Sequence, residues 1–410
     1  MNRTNSAINR SQKRENVVSW AIAFLFFLSL LPYFVWSIVP YTDWWLTVPL
    51  FLLFCTQTKR IKNSHLLVSF IFISIWAGIC GGGNFVGISM MAVSAIIFAV
   101  KESFLISIYS RFRLIFVLLL SASLIIYLLV SFGVSLPYYS VPPPPRNTID
   151  YNYYIYPFYA CPSVDDWRNL GINRFNALFD EPGVVGTISF IILFIEKFNL
   201  KKIGNYVLIA SGILSFSLFF YIASFIYFTY HLFFIRSNYF YKILTGLVVS
   251  FCLLQFAKTE IFEGYIGDRL LWESKAQTIS GDDRSSDDLK KHISNIRGTT
   301  AYFFGDPESV SRHQASASIE KQILAYGFIT IALFFIFYAI YSHRYLKTSK
   351  EWVFFYVVLF AIMYNRPSMF SFSRLYLYCM MVLVWSPNFK DSFQQLDIAT
   401  TVKNRLLRRF

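Results

Sequence analysis

The sequence predicts an all-α, polytopic membrane protein with about twelve transmembrane helices and two long outward loops, at about 135–183 and 258–321. Three observations predict it. Of 410 residues, 56% are hydrophobic, 20% aromatic and only 15% charged, and a mean hydropathy of +0.49 is far outside the range of soluble domains. The apolar residues gather into runs of crossing length. The basic residues gather into the short connections between those runs.

Taking about 20 apolar residues as one crossing, and allowing shorter or tilted ones, spans fall near 17–38, 44–58, 65–80, 84–100, 114–134, 184–196, 203–217, 219–235, 243–257, 322–342, 351–364 and 375–387. The first follows a basic stretch (Arg3, Arg10, Lys13, Arg14) like that of a signal peptide. Its apolar run has no small-residue cleavage site and exceeds the length of a signal core, so it is predicted to stay as a helix. The short connections carry Lys59, Arg60 and Lys62; Lys101, Arg111 and Arg113; Lys197, Lys201 and Lys202; and Arg344, Lys347 and Lys350. Short loops rich in Lys and Arg stay in the cytoplasm. An even number of crossings then puts both termini inside and the two long loops outside.

The same distribution disposes of a nucleic-acid reading. The net charge is +14, but most of the basic residues lie in the termini and the inner connections, where topology accounts for them. The cysteines (Cys55, Cys80, Cys161, Cys252, Cys379) have neither a disulfide framework nor zinc spacing. Proton relays and ion paths use buried ionisable groups, and the span centres hold almost none. His231, beside Arg236 near an inner end, reads as an interfacial histidine, which gives transporter chemistry little support.

The first long loop opens with Pro142 to Pro145, a stiff polyproline spacer. It continues through Tyr151, Tyr153, Tyr154, Tyr156 and Tyr159 to Asp165, Asp166, Trp167 and Arg168. Such rings serve either as an interfacial belt or as faces that stack on sugar rings, with the hydroxyl as a polar handle. The two readings carry equal weight here. The loop closes on Asn173-Arg174-Phe175-Asn176-Ala177-Leu178-Phe179-Asp180-Glu181-Pro182-Gly183. Pro182 in a first helical turn, with Glu181 before it, marks a helix start. A helix N-terminus favours anions, and Arg174 stands seven residues upstream of it.

Arg174 with Phe179-Asp180-Glu181-Pro182-Gly183, followed by a span, a short basic turn and a Ser-rich pair of spans (Ser211, Ser215, Ser217), resembles the bacterial Wzy-type O-antigen polymerases and, more loosely, the O-antigen ligases. The resemblance implies a glycosyltransferase of the bacterial inner membrane, its long loops periplasmic, working in lipopolysaccharide biosynthesis. It would move a growing glycan from undecaprenyl diphosphate onto a new lipid-linked repeat unit, with that lipid-linked oligosaccharide and membrane lipids as partners, a chain-length regulator as a further one, and no cofactor. In such a family the second loop supplies arginines and a Gly-bearing helix that returns to the membrane. Arg269 and Arg284 occupy the matching places, and the loop ends at Tyr326-Gly327-Phe328.

The departing lipid diphosphate carries new negative charge, which guanidinium groups suit because their donors form a fixed, permanently charged fork. Arg174, Arg269 and Arg284 are the expected diphosphate ligands, with Arg374 in the last outward connection as a further candidate. Deprotonating the acceptor hydroxyl needs a base, for which His313 and Glu181 are available. His313 lies further from Gly327 than the usual ligase spacing, which leans away from ligase. Tyr153, Tyr154, Tyr156 and Trp167 are the expected sugar contacts. Asp282, Asp283, Asp287 and Asp288 look like hard-cation ligands, yet acidic pairs flanking Arg284 read better as a self-neutralising surface, so no metal is expected. The inward loops are too short to cradle a nucleotide sugar and hold no Gly-rich phosphate motif. An O-antigen ligase and a lipid-linked oligosaccharide transporter stay open beside the polymerase.

Overall fold

The computed structural model describes residues 2–30, 32–36, 42–56, 64–82, 92, 94–142, 152–162, 174–235, 272–273, 278–279, 287–310, 318–346, 348–365 and 372–386. Their architecture is mostly helical. Two helices among them, Glu102–Ser131 and Ile319–Tyr345, are long and apolar enough to cross a membrane. At 1.5 Å per residue the first measures roughly 45 Å, more than a hydrocarbon core of about 30 Å. The span expected at 243–257 lies outside the described residues, and so do Trp167, Arg269, Arg284 and His313.

Several elements depart from the sequence reading. The first helix, Asn2–Leu28, stops short of 38, because Pro32 removes a backbone donor and biases the residue before it away from helix. The basic stretch 101–113, expected as a connection, forms the first turns of the Glu102–Ser131 helix. Its arginines find partners there: Arg111 donates to the Ser107 carbonyl at 2.6 Å and reaches the distant Asn16 side chain. Within the expected span 84–100, the residues Ala95–Ala99 form a short 3-10 turn. The all-α expectation also misses two small antiparallel sheets, Tyr139–Val141 (β1) with Tyr153–Tyr156 (β2) and Tyr159–Pro162 (β3), and Trp272–Glu273 with Thr278–Ile279.

One helix organises the bundle. In Pro182–Ile195 every residue from Val184 onward is buried, as expected of a helix apolar on all sides. It packs against Ile203–Leu214, Leu218–Tyr230 and Phe372–Trp385. Small residues let the backbones close up: a Cβ on Gly186 would lie 2.4 Å from the Ser217 Cβ, and one on Gly212 would enter the Phe220 ring.

Polar contacts collect at opposite ends of these helices. At one end Arg113 pairs with buried Glu196 at 2.7 Å and donates to Asn205 at 3.1 Å, while Lys202 reaches Glu196 at 3.3 Å. The basic connections around 101–113 and 197–202 therefore meet, and His65, next to the 59–62 cluster, meets Arg344 at 2.6 Å. At the other end the first long loop folds over the turn between Ile203–Leu214 and Leu218–Tyr230. On the Glu102–Ser131 helix, Arg113 and Tyr127 mark the two levels, about 21 Å apart along the axis.

The Ile319–Tyr345 helix is broken at Gly327 (φ 81°, ψ 154°). The segment after Asp287–Ile296 packs into this break: a Cβ on Gly327 would lie 2.3 Å from the Phe303 carbonyl oxygen, and one on Gly305 (φ 92°) 3.0 Å from the Gly327 nitrogen. The Asp306 amide donates to the Leu324 carbonyl at 2.6 Å. The two short helices Thr300–Phe304 and Pro307–Val310 are thereby fastened to the broken helix.

Candidate functional site

The segment Arg174 to Glu181 is the meeting point of the described fold. Residues Phe175 through Asp180 are all buried, although none of the eight backbone units from Arg174 to Glu181 belongs to a helix or strand. Buried backbone groups need partners, and here they come from four places. The Phe175 amide donates to the Leu214 carbonyl at 2.9 Å, the Ala160 amide to the Ala177 carbonyl at 2.7 Å, and the Tyr33 amide to the Leu178 carbonyl at 2.7 Å. The Tyr153 hydroxyl donates to the Asp180 carbonyl at 2.9 Å, and the Asn176 amide approaches the same oxygen at 3.5 Å. Ala177 adopts φ 52° to make the turn, a conformation that costs an L-residue energy unless its surroundings enforce it.

Arg174 is half-buried and locked onto the turn that follows Ile203–Leu214. Its Nε donates to the Ser215 carbonyl at 3.1 Å and its Nη2 to the Phe216 carbonyl at 3.0 Å. The end of a helix leaves carbonyls in need of donors and carries partial negative charge, so a guanidinium is well matched to it. The turn is itself braced, with Phe216 at φ 45°, the Ser215 hydroxyl donating to the Gly212 carbonyl at 2.7 Å, and the Ser217 amide donating to Ser215 Oγ at 3.3 Å. The Ser-rich signal thus corresponds to a helix-ending turn that holds an arginine.

Glu181 takes extended backbone angles (φ −129°, ψ 133°) just ahead of Pro182. Its carbonyl accepts from Val184 at 3.1 Å, but its carboxylate does not cap the helix, as a simple helix-start role would have it do. Arg374 is half-buried in the first turn of Phe372–Trp385, four residues before Tyr378.

The three tyrosines expected as sugar contacts separate by pleat. Tyr153 and Ile155 point to the buried face of the sheet, against Ala160, Tyr33 and Val141. With its ring closed off and its hydroxyl engaged by Asp180, Tyr153 shapes the base of the loop in this arrangement and offers no surface. Tyr154 and Tyr156 lie on the opposite face, half-exposed. Tyr138, which the sequence reading passed over, stands 4.6 Å from Tyr154 and 5.4 Å from Tyr156 between ring centroids. Behind them Tyr156 stacks on Tyr159 and Tyr159 on Phe175, each at 6.1 Å. Burial pushes the Tyr159 phenol well above its ordinary pKa, with the neighbouring Cys161 and Tyr127 adding to the effect. It stays a neutral packing group. The run of strand-favouring residues Tyr153-Tyr154-Ile155-Tyr156 is the signal that could have found this sheet.

Cys80 and Cys161 are not disulfide-bonded, and Cys161 is buried. Of the acidic run in the second loop, Asp288 is exposed on the Asp287–Ile296 helix, whereas Asp282 and Asp283 lie outside the described residues.

No protein-family model, curated protein or solved structure matches this chain.

Proposed function

We propose that the chain is a polytopic inner-membrane glycosyltransferase of the O-antigen polymerase kind, acting at the outer face on glycans carried by undecaprenyl diphosphate. The observation that carries this reading is the anchored Arg174. A guanidinium fixed by two carbonyl acceptors is preorganised, and a preorganised donor aimed at developing charge can contribute about 3 to 4 kcal/mol to a transition state. It stands at the end of an aromatic loop and ahead of a helix N-terminus, both suited to a sugar diphosphate.

The reaction needs three acts. The acceptor sugar's hydroxyl oxygen bonds to the anomeric carbon of the growing glycan. Its proton passes to a base, for which Glu181 and His313 are the candidates. The anomeric bond to the phosphate oxygen breaks, and its electron pair leaves with the lipid diphosphate. Arg174, with Arg269, Arg284 and Arg374, would receive that charge. The twelve-crossing topology, with periplasmic loops and cytoplasmic termini, belongs to the same proposal. It is supported by the meeting of the basic connections at the end of the bundle away from Arg174.

The test is a gel of surface lipopolysaccharide from a knockout strain complemented with the wild-type chain, Arg174→Ala or Arg174→Lys. Loss of activity is expected to leave core bearing a single repeat. Full-length polymer from Arg174→Ala, at normal protein abundance, would sink the assignment to Arg174. Bare core would instead indicate a ligase, and repeats trapped inside the cell a transporter.

A further inference from the structure

The rings of Tyr138, Tyr154 and Tyr156 form a continuous face, which gives the expected sugar contacts Tyr154 and Tyr156 a defined surface and adds Tyr138 to it. We infer that this face binds a sugar ring of the lipid-linked glycan close to its lipid anchor, an inference that rests on the polymerase reading. The rings are held before any ligand arrives. Tyr156 is backed by Tyr159 at an interplanar angle of 22°, and Tyr159 by Phe175 at 11°. Phe175 adjoins Arg174 in the chain, so the face and the anchored guanidinium share one rigid support. Binding to a rigid aromatic surface costs little ordering entropy.

The chemistry of the face favours sugar over acyl chains. Its rings carry hydroxyls, which suits a ligand with apolar ring faces and polar edges. The crossing-length helices expose a different set, such as Leu118, Ile125, Ile336 and Ile340. Depth favours the part of a glycan nearest its lipid. The Ser123 hydroxyl donates to the Phe158 carbonyl, and Tyr127 packs on Tyr159 at 5.6 Å. The sheet therefore lies beside the last turns of the Glu102–Ser131 helix, where the first sugars of a membrane-anchored glycan would lie.

Saturation-transfer NMR tests this, using the full-length chain in lipid nanodiscs. The probe is repeat-unit oligosaccharide released by mild acid from the surface polysaccharide of the same cells. Saturation is expected to reach the sugar ring protons, to fall to background with Tyr138→Ala/Tyr154→Ala, and to persist with Tyr138→Phe/Tyr154→Phe. Thermal melting of all three proteins is expected to agree, since the substituted rings are exposed or half-exposed. No transfer to the wild-type chain, or equal transfer to the alanine variant, would overturn the site. So would strong quenching of Tyr154→Trp fluorescence by nanodisc lipids brominated on their acyl chains, which would make the face an interfacial belt. If binding fails while Arg174→Ala still gives single-repeat lipopolysaccharide, only the sugar face is lost. If binding persists while Arg174→Ala makes full-length polymer, the failure lies in the role given to Arg174; if it persists while the knockout leaves bare core or repeats trapped inside the cell, the failure lies in the polymerase reading.

Discussion

Tyr153 reaches across the base of the first loop to Asp180, its buried hydroxyl 2.9 Å from the Asp180 carbonyl oxygen. The bond joins the sheet to the segment that positions Arg174 and the Pro182 helix start.

Tyr153→Phe removes this bond and leaves the carbonyl with only the longer approach of Asn176. A buried acceptor deprived of its donor costs about 1 to 3 kcal/mol, whereas Tyr154→Phe, on the half-exposed face, is expected to stay within about 0.5 kcal/mol of the parent. Thermal unfolding in detergent separates them. Equal melting temperatures would show that the Tyr153 hydroxyl is not holding the loop.

A second prediction concerns the opposite end of the bundle. The Glu196 side chain is 3% exposed and shared between Arg113 and Lys202. Breaking a buried pair by removing one partner strands the other charge, at a cost of about 3 to 5 kcal/mol. Arg113→Ala is expected to approach that range. Lys202→Ala should cost less, because its contact is longer and its side chain more exposed. Reversed ranking in thermal melting would mean that Lys202, not Arg113, is the working partner.

Gly327→Ala is expected to be severe. A methyl group would have to fit 2.3 Å from the Phe303 carbonyl oxygen at φ 81°, and both strain and clash act against it. Gly133, also at positive φ (80°), has nothing within 4 Å of its would-be Cβ. Gly133→Ala therefore carries the backbone strain alone, about 1 to 2 kcal/mol. Similar yields of folded protein from both variants would show that the packing of 303–305 into the helix break contributes nothing.

These residues also show which parts of the fold were legible beforehand. Pro182 marks its helix start because proline acts through its own backbone, whereas Tyr153-Tyr154-Ile155-Tyr156 carries no alternation of apolar and polar residues, so the sheet it forms went unread. Arg174 was legible only as a displaced charge, since its acceptors, Ser215 and Phe216, stand 41 and 42 residues away. Arg111 and Arg113 misled for a related reason. A basic cluster reads as a loop unless distant partners make it compatible with a helix, and Asn16 and Glu196 are such partners. The glycine at 327 was visible, but not what it accommodates, because a helix break is defined by the chain that fills it.

The last prediction fixes sidedness, which contacts within the chain cannot do. Arg113, Glu196 and Lys202 meet at one end, Arg174 and Ser215 at the other, and the long helix between them is apolar enough to cross a membrane. Lys201, in the first group's connection, and Tyr138, beside the sheet, are exposed reporters for the two ends. With Cys55, Cys80, Cys161, Cys252 and Cys379 replaced by serine or alanine, Tyr138→Cys and Lys201→Cys each offer one thiol to a membrane-impermeant maleimide. On intact spheroplasts Tyr138→Cys is expected to label and Lys201→Cys only after lysis. The reverse pattern would turn the bundle over, put Arg174 in the cytosol and remove any lipid-linked glycan from its reach. Labelling of both before lysis would mean that the two ends are not separated by a bilayer, and the membrane topology itself would fall.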